Sequence, residues 1–501
     1  MALSYFNQVI GGVSQLWVTD GTALGTHIVA PLGINTTFNL TTIGSRVFFS
    51  LFDPADYGQE LWTSDGTAAG TMMVKDINPG AGGSSPGAVT NFNGTLYFSA
   101  NDGTHGYELW KSDGTAAGTT IVKDIAPLAT SSSRQSLTAL NGALYFNAND
   151  GTHGYELWKS DGTAAGTVLL EDINTGANDS FPQNLRNANG ALYFQAIDGI
   201  HGAEIWKSDG TAVGTVMVKD VNTGASGSSP GAVTKVNGTL YFLANDSAHG
   251  SELWKSDGTT AGTVIVDDID PGATSSFPFY LTNLNGTLYF QASDGTNGAE
   301  LWKSDGTAAG TMMVKDIDPD ANSLVPSYVI NVNSELYFTT NDGAHGYELW
   351  KSDGTAAGTV MVKDIDAGAG SSTPFDFAAI NGGVEFYAFD GANYGLFRSD
   401  GTAAGTIEFA SNVQTSTPTG VTSAPVPSDF NGDALSDILW QNTSGQAAIW
   451  GVNGINAISG GSVSPNPGPS WTEIGSGDFN GDRHAESCGR TRAAAKPRSG
   501  K

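Results

Sequence analysis

Oxygen-bearing groups with alternating spacing occur near the C-terminal end of this 501-residue sequence. Asp429, Asn431, Asp433 and Asp437 stand at positions 1, 3, 5 and 9 of one short segment, and the main-chain carbonyl of Leu435 stands at position 7. Alternate groups of a turn can converge on one point, and Ca²⁺ takes about six to eight oxygen ligands. The sequence therefore predicts a calcium site. An acidic hairpin turn without a metal is the alternative.

A second, weaker calcium candidate begins at Asp478. Asn480, Asp482 and Glu486 continue the spacing, with the carbonyl of His484 in the position of the main-chain ligand. Arg483 adds positive charge beside these groups, and the apolar strand that follows the first candidate is missing here. We expect this second loop to bind Ca²⁺ more weakly than the first.

Histidines and glutamates recur at equivalent positions of a repeat, and this recurrence argues against catalysis. A metal needs its ligands within a few Å, whereas equivalent residues lie at least one repeat unit apart. An acid/base pair likewise needs two carboxylates in different environments at one place. We expect the histidines to lie in turns, and the glutamates to pair with lysines of the Lys111 type across strands. These residues are His105, His153, His201, His249 and His345, and Glu108, Glu156, Glu204, Glu252, Glu300 and Glu348.

An aspartate precedes glycine in a recurring Asp-Gly-Thr turn. Asx side chains bond the local backbone, and glycine adopts positive φ without strain, so we expect these aspartates to stabilise turns. A cation site shared between neighbouring repeat units is the alternative. The aspartates are Asp65, Asp113, Asp161, Asp209, Asp257, Asp305, Asp353 and Asp400.

A repeat of 48 residues carries all of these groups. Its marker is a Leu-Trp or similar pair whose successive spacings are 45, then 48 six times, then 47, which gives nine copies. The second members of the pairs are Trp17, Trp62, Trp110, Trp158, Trp206, Trp254, Trp302, Trp350 and Phe397.

Each copy predicts four short strands and no helix. In the third copy, aromatic runs at 96–98 and 107–110 flank a hairpin signal, a third strand lies at 120–122, and Gly87 to Thr90 supplies the fourth. Leu109 and Trp110 point to opposite faces, so the sheet needs an apolar neighbour on each side. The sequence therefore predicts an all-β propeller of four-stranded blades, with a linear solenoid as the alternative.

The two ends of the repeat region suggest how the ring closes. The first copy begins directly in the Leu-Tyr-Phe-like strand and lacks its leading strand. Residues 416–422 resemble the segment from Ser85 to Thr90, so their pairing with the first copy would cover an open edge. This count predicts nine blades. Eight blades with a loosely attached first copy remain the alternative.

The string from Glu108 to Thr119 resembles the ELWxxDGT repeat of predicted bacterial surface or secreted proteins. The resemblance covers roughly residues 1–411, and it implies a repeat architecture and an extracellular location without any family reaction. Departures occur at the ends, where Gln15 replaces glutamate and the ninth copy has Gly395 and Phe397.

A different repeat follows the segment 423–428. The string from Asp429 to Trp440 resembles the FG-GAP/VCBS repeat of integrin-type propellers, and this resemblance implies the same calcium ligands. Its start recurs at Asp478, but the second copy soon departs from the pattern. We predict a propeller over 1–422, a linker at 423–428, partial FG-GAP/VCBS repeats over 429–486 and a disordered basic tail over 487–501. A frameshifted or truncated reading frame would also explain that tail.

Composition excludes several classes of partner. The chain has 50 acidic and 22 basic residues and a formal charge of −28, which disfavours nucleic acid and anionic lipid. No apolar stretch approaches a membrane span, and no signal peptide is visible at the N-terminal end. Cys488 is the single cysteine, so no disulfide within the chain can stabilise the fold.

The function that these features favour is a non-enzymatic extracellular repeat protein that acts as a binding or adhesion scaffold. We expect a monomer with an unidentified protein, glycan or matrix ligand and with Ca²⁺ in the C-terminal repeat. A propeller-fold glycan lyase or hydrolase is the alternative. It is disfavoured because the most divergent connections, 127–136 and 318–328, contain no set of acid, base and nucleophile.

Overall fold

A computed structural model describes most of the repeat region and parts of the C-terminal segment. The described residues are 3–10, 13–19, 27–31, 37–53, 57–127, 131–132, 137–319, 326–380, 382–410, 422–424, 437–441, 447–453 and 456–460. This part of the chain contains no helix with the length and apolar character that crossing a bilayer requires.

Within the described residues the strands form nine four-stranded antiparallel sheets, arranged as the blades of a propeller. We number strands in chain order and blades from the N-terminal end. Blades 1 to 3 contain β1 (Leu3–Ile10), β2 (Val13–Thr19), β3 (His27–Pro31), β4 (Thr37–Ile43), β5 (Arg46–Asp53), β6 (Gly58–Ser64), β7 (Met72–Lys75), β8 (Gly87–Phe92), β9 (Thr95–Asn101), β10 (Tyr107–Ser112) and β11 (Thr120–Lys123).

Blades 4 to 9 contribute four strands each in the same order, and a three-residue 3₁₀ turn, Ala308–Gly310, precedes β27. Blades 4 to 6 contain β12 (Thr138–Leu140), β13 (Ala143–Asn149), β14 (Tyr155–Ser160), β15 (Val168–Glu171), β16 (Gln183–Ala188), β17 (Ala191–Ile197), β18 (Ala203–Ser208), β19 (Val216–Lys219), β20 (Gly231–Val236), β21 (Thr239–Asn245), β22 (Ser251–Ser256) and β23 (Val264–Asp267). Blades 7 to 9 contain β24 (Phe279–Leu284), β25 (Thr287–Ser293), β26 (Ala299–Ser304), β27 (Met312–Lys315), β28 (Ser327–Val332), β29 (Glu335–Asn341), β30 (Tyr347–Ser352), β31 (Val360–Lys363), β32 (Phe375–Ile380), β33 (Gly383–Phe389), β34 (Tyr394–Ser399) and β35 (Ile407–Ala410).

The first blade obtains its fourth strand from the far end of the repeat region. The strand β36 (Thr422–Ala424) pairs antiparallel with β1, with Tyr5 opposite Thr422 and Leu3 opposite Ala424. This pairing confirms the predicted closure, and the strand extends two residues into the predicted linker, 423–428. Residues 416–421 of the predicted closing segment lie outside the described residues. The first copy is a complete blade, and the propeller has nine blades.

Apolar clusters between neighbouring blades hold the ring together. In blade 5, Trp206 packs against blade 4, in a cluster that includes Tyr145 and Leu157, whereas Ile205 packs against blade 6. Adjacent residues of a strand point to opposite faces, so one Leu-Trp-type pair serves both interfaces. Phe6 of blade 1 packs with Tyr387 and other residues of blade 9, which closes the circle of interfaces.

A lysine at the end of the fourth strand links most blades to the next. The ammonium of Lys123 donates to the carbonyl oxygen of Thr167 at 2.7 Å and lies 5.8 Å from the centre of the Trp158 ring. Lys75, Lys219 and Lys315 make the same two contacts. A cation over an indole face adds about 0.5–2 kcal/mol, depending on exposure. Blades 1 and 9 have alanine at the lysine position, and blades 4 and 6 have Glu171 and Asp267 there.

Replacing Glu171 with lysine should raise the free energy of unfolding by about 1 kcal/mol, because the new ammonium would reach the Thr215 carbonyl and the Trp206 ring. Burial, and then the charge of Asp172, raise the pKa of Glu171, so the native carboxylate is itself unfavourable here. Chemical denaturation of Glu171→Lys and Glu171→Gln measures the effect, since glutamine removes the charge without supplying the contacts. Equal stability of the two variants would contradict the prediction.

The described part of the C-terminal segment forms a separate three-stranded antiparallel sheet of β37 (Asp437–Gln441), β38 (Ala447–Asn453) and β39 (Asn456–Gly460). These strands lie within the range predicted for the FG-GAP/VCBS repeats.

Candidate functional site

The predicted calcium ligands fall almost entirely outside the described residues. Asp429, Asn431, Asp433 and Leu435 lie outside them, and Asp437 is described only as the first residue of β37. The second set, Asp478, Asn480, Asp482, His484 and Glu486, also lies outside. Both calcium sites therefore stay predictions. Among the described residues, no group of three or more His, Cys, Asp or Glu side chains is arranged to hold a metal ion.

The repeated histidines lie in turns, as predicted. In blade 5, Nδ1 of His201 lies 2.7 Å from Oδ2 of Asp198, whose other oxygen accepts the main-chain N–H groups of Ile200 and His201. His105, His153, His249 and His345 repeat the contact at 2.7–2.8 Å. In blade 7, Asn297 bonds Asp294 in the same way, so the position needs a hydrogen-bonding side chain and not imidazole chemistry.

The repeated glutamates are buried and clamp the connection to the next blade. Glu204 is fully buried, and its carboxylate accepts the main-chain N–H groups of Val221, Asn222 and Ser228 at 3.1, 3.3 and 2.8 Å. The hydroxyl of Ser228 donates a fourth bond at 2.6 Å. One side chain therefore fixes the segment that leads from β19 to β20.

The predicted pairing of these glutamates with lysines is wrong. Lys111 donates instead to the carbonyl oxygen of Gly162 in the next blade at 2.9 Å, while Glu108 accepts the N–H groups of Ile125 and Ala126 and the hydroxyl of Ser132. Glu108 and Lys111 are three residues apart on one strand, so their side chains point to opposite faces of the blade.

The Asp-Gly-Thr turns are stabilised by their own side chains, as predicted, and they also contact the preceding blade. Oδ1 of Asp209 accepts the N–H and the hydroxyl of Thr211 at 2.9 and 2.7 Å. The carbonyl of Gly210 accepts a bond of 2.7 Å from Lys159 of blade 4. Gly210 has φ +91°, and a Cβ there would lie 2.4 Å from the hydroxyl of Tyr145. Glycine is therefore required by the blade interface as well as by the turn.

Stability should be greatest near pH 5 and should fall as the pH rises to about 8. Burial raises the pKa of Glu108, Glu156 and Glu252 to about 7, so their folded form binds protons that the unfolded chain has already released. The contribution of these glutamates to the free energy of unfolding is present in full below about pH 4.5 and disappears as the pH rises through 7. Hydrogen bonds from the Thr side chain and N–H lower the pKa of the Asp209-type aspartates, so their contribution is lost below about pH 4.

Scanning calorimetry at several pH values tests this dependence. Repetition in high salt is the control, because salt screens the repulsion between surface charges but acts far less on buried groups. A Tm that rises from pH 5 to pH 8 in high salt would show that the buried glutamates ionise without cost.

The first strands of the blades line the axis, because first strands of neighbouring blades contact one another. In six blades the first strand contains one residue with positive φ, at the same position of the repeat and next to a break in the strand register. It is small or polar in some blades and bulky or acidic in others. These residues are Ala88, Asn184, Ala232, Tyr280, Tyr328 and Asp376.

Tyr280 and Tyr328 are unusual occupants of this position, with φ of +55° and +57°. Large side chains seldom adopt this conformation, and such strain costs about 1–3 kcal/mol and is concentrated at functional sites. Tyr280 is 40% exposed and Tyr328 is 44% exposed, and the centres of their rings are 6.0 Å apart. The chain therefore holds two strained aromatic residues side by side at the axis.

These tyrosines form one wall of a cavity of about 370 Å³ between blades 7, 8 and 9, which we call the axial cavity. The opposite wall comes from β32, where the Phe377 ring lies 6.4 Å from Tyr328 at an angle of 75°. The residues of the axial cavity used below are Tyr280, Tyr328, Ile330, Phe375, Asp376 and Phe377. A smaller cavity of about 270 Å³ lies on the other side of Tyr280 and includes Arg186.

Asp376 supplies the charge of the axial cavity. Its Oδ2 is buried and has no hydrogen-bond partner among the described residues. Burial raises the pKa of Asp376, and this carboxylate in turn helps to raise the pKa of the neighbouring, fully buried Tyr387. Burying a carboxylate oxygen without a donor costs free energy, so burial favours the neutral form of Asp376.

Reasoning from the sequence missed the axial cavity. The available signal was the variation at one repeat position, where Tyr280, Tyr328 and Asp376 follow Ala232 at intervals of 48 residues. That variation identifies a site only when the first strands are known to meet at an axis.

Comparison with known proteins finds only distant structural similarity. No family model matches the chain, and no curated protein matches it. A crystal structure of puromycin hydrolase is similar with 14% identity and a TM-score of 0.37, covering 72% of this chain and 58% of that one. Oligopeptidase B from Leishmania major has 10% identity and a TM-score of 0.38, covering 84% and 54%. A nidogen/laminin complex has 12% identity and a TM-score of 0.28, covering 51% and 89%. The chain thus spans less than two thirds of the length of these peptidases.

Proposed function

We propose that this protein is a non-enzymatic, extracellular binding or adhesion scaffold, and that the axial cavity is its ligand site. The observation that carries the proposal is the loss of repeat symmetry in the first strands of the blades, which differ from blade to blade while the third strands are nearly repeated. Most blade positions hold the same residue in successive blades, whereas the axial position changes to Tyr280, Tyr328 and Asp376 in consecutive blades.

Three properties of the axial cavity support this role. Its volume lies within the range of about 300–1,000 Å³ that small-molecule sites occupy. Its walls combine aromatic rings with a single charged group, which is the usual composition of a ligand pocket. Its tyrosines adopt the positive φ that Asn184 and Ala232 also adopt at the equivalent positions, and this conformation is more strained for the bulky side chain of tyrosine than for asparagine.

A binding screen tests the proposal. Immobilised glycans and peptides would be probed with the wild type and with the double variant Tyr280→Asn and Tyr328→Asn. Asparagine already occupies the equivalent position 184 at φ +55°, so this double variant should fold. We expect ligands that bind the wild type and not the variant. Identical binding profiles, or no binding by either protein, would remove the axial cavity as the site.

We also propose that the loop of Asp429, Asn431, Asp433, Leu435 and Asp437 binds Ca²⁺. The support is the alternation of oxygen ligands and the resemblance to the FG-GAP/VCBS repeat. Extracellular modules bind Ca²⁺ with dissociation constants of about 10⁻⁴–10⁻³ M, and a site of that strength would suit a secreted protein.

Calcium should stabilise the C-terminal segment by about 2.7 kcal/mol at a hundredfold excess over Kd, and the propeller much less. Calorimetric titration of the chelated protein beside Asp433→Ala measures this. Equal heats in both proteins, or none in either, would exclude the loop. A large effect that survives in the variant would move the site to the Asp-Gly-Thr turns.

A further inference from the structure

The smaller cavity beside Tyr280 has the opposite charge to the rest of the chain. Arg186 is the one charged residue among the described residues that line it, whereas the sequence has 50 acidic and 22 basic residues. We call this space of about 270 Å³ the Arg186 cavity, and its lining residues used below are Asn184, Arg186, Thr234 and Tyr280. These residues come from the first strands of blades 5, 6 and 7, so the cavity lies at the axis.

Arg186 replaces a residue that makes a repeated contact between blades. At the equivalent position of blades 4, 6 and 7, a threonine hydroxyl donates to a main-chain carbonyl oxygen of the next blade. These bonds run from Thr138 to Leu185, from Thr234 to Leu281 and from Thr282 to Val329, at 3.2, 2.8 and 2.9 Å. Blade 5 lacks the threonine and has a guanidinium group instead.

The guanidinium of Arg186 lies at the axial edge of its strand. Its Nη1 is 3.4 Å from the carbonyl oxygen of Leu185, which also accepts the Thr138 hydroxyl of blade 4 and therefore faces the neighbouring first strand. Arg186 is exposed, and this long bond is the one contact of its five N–H donors with the described residues. The guanidinium therefore has donors available for a ligand at the axis.

We propose that the Arg186 cavity binds the carboxylate group of an acidic sugar, with the guanidinium paired to the carboxylate and the pyranose ring packed on Tyr280. This inference goes beyond the proposed function, because it concerns the neighbouring cavity and holds whether or not the axial cavity has a ligand.

The three side chains around the Arg186 cavity match the three parts of such a ligand. A guanidinium pairs with a carboxylate through two parallel hydrogen bonds. Tyr280 is 40% exposed and lines both cavities, whereas Tyr328 lines the axial one of the two, so one side of Tyr280 is available to the C–H face of a pyranose. Asn184 is exposed and its amide bonds none of the described residues, so it can bond the sugar hydroxyls.

Other occupants match these side chains less well. An acidic side chain of a peptide would pair with Arg186, but it has neither hydroxyl groups for Asn184 nor a ring for Tyr280. A neutral sugar would gain nothing from the charge of Arg186. A polyanion such as nucleic acid would be repelled by the formal charge of −28, whereas a single carboxylate meets this repulsion over a Debye length of about 8 Å and then gains its pair.

Two probes that differ only at carbon 6 of the sugar test the inference. Methyl β-D-glucuronide has a carboxylate there, and methyl β-D-glucoside has a hydroxymethyl group. Each would be titrated into the full chain at pH 7 by calorimetry or ligand-observed NMR. We expect the glucuronide to bind about five- to tenfold more tightly, because the charged pair adds to the packing that both sugars share. Nα-acetyl-glutamate N-methylamide is the third probe, and it should bind more weakly than the glucuronide.

Variants separate the charge from the packing surface. Arg186→Thr introduces the residue of blades 4, 6 and 7, so it should fold, and it should remove the preference for the glucuronide. Arg186→Lys keeps the charge without the fork of donors and should retain part of that preference. Tyr280→Asn should weaken the binding of both sugars. The matched control is Tyr328→Asn, which should leave the preference unchanged, and thermal melting establishes that each variant is folded.

Several outcomes would overturn the inference. Equal affinity for the two sugars, or no binding of either, would show that Arg186 recruits no carboxylate. A preference that survives in Arg186→Thr would place the carboxylate elsewhere, and one that is lost in Tyr328→Asn would move the ligand to the axial cavity. Tighter binding of the glutamate compound than of the glucuronide would assign the Arg186 cavity to an acidic peptide. The immobilised panel tests the axial cavity separately, so failure here leaves the proposed function standing.

Discussion

Replacing Glu204 with alanine is expected to lower the free energy of unfolding by about 3–5 kcal/mol. The carboxylate accepts four hydrogen bonds, three from main-chain N–H groups and one from the hydroxyl of Ser228. Each buried donor that loses its acceptor costs about 1–3 kcal/mol, less where water enters the space that the side chain leaves. Because these donors belong to the connection between β19 and β20, the loss should also loosen the link from blade 5 to blade 6.

Equilibrium denaturation and hydrogen exchange measure this effect, and Glu204→Gln is the matched control. Glutamine keeps one carbonyl oxygen but turns an NH₂ group toward donors, so we expect an intermediate loss of about 1–3 kcal/mol. Faster exchange of the amides of Val221 and Ser228 should accompany the alanine variant. A loss below about 1 kcal/mol for alanine would mean that these donors find other acceptors and that the clamp contributes little.

Replacing Trp206 with alanine is expected to cost about 3–5 kcal/mol, because a buried aromatic side chain loses its transfer free energy and leaves a cavity. Trp206 is 9% exposed and packs against Tyr145 and Leu157 of blade 4. The residue therefore belongs to the core between two blades. Urea denaturation of the variant measures the loss, and a value below about 1 kcal/mol would indicate that the indole is exposed and available to stack on a ligand.

Trp206→Phe distinguishes lost volume from lost hydrogen bonding. The indole N–H of Trp206 has no hydrogen-bond partner among the described residues, so phenylalanine forfeits only part of the packing. Phe397 already fills the equivalent position in blade 9 and is 3% exposed. We expect a cost well below that of alanine, about 1–2 kcal/mol. A phenylalanine variant as unstable as alanine would point to an interaction of the N–H that the structure does not display.

The strands and their faces could be predicted from the sequence because they depend on local chemistry. Asn-Asp-Gly and Asp-Gly-Thr segments favour tight turns, and the alternation in strands sends Ile205 and Trp206 to opposite sides. The resemblance of residues 416–422 to the start of another copy predicted which end closes the ring, and the pairing of Thr422 with Tyr5 confirms it.

The partners of the charged groups could not be predicted in this way. Glu108 bonds a connection 17 to 24 residues away, and Lys111 bonds Gly162 in the next blade, 51 residues away. Spacing along one strand shows that the two side chains diverge, but it does not show which distant backbone groups approach each of them.

The sequence by itself determined the repeat unit, its four strands and its two apolar faces, because turn chemistry and alternation act within one copy. Only the tertiary structure decided between eight and nine blades, since that choice depends on whether Phe6 packs against blade 9 and whether β36 completes blade 1. The axial cavity also depends on the tertiary structure. Tyr280, Tyr328 and Asp376 are 48 residues apart along the chain, and they meet because the ring brings its first strands together at the axis.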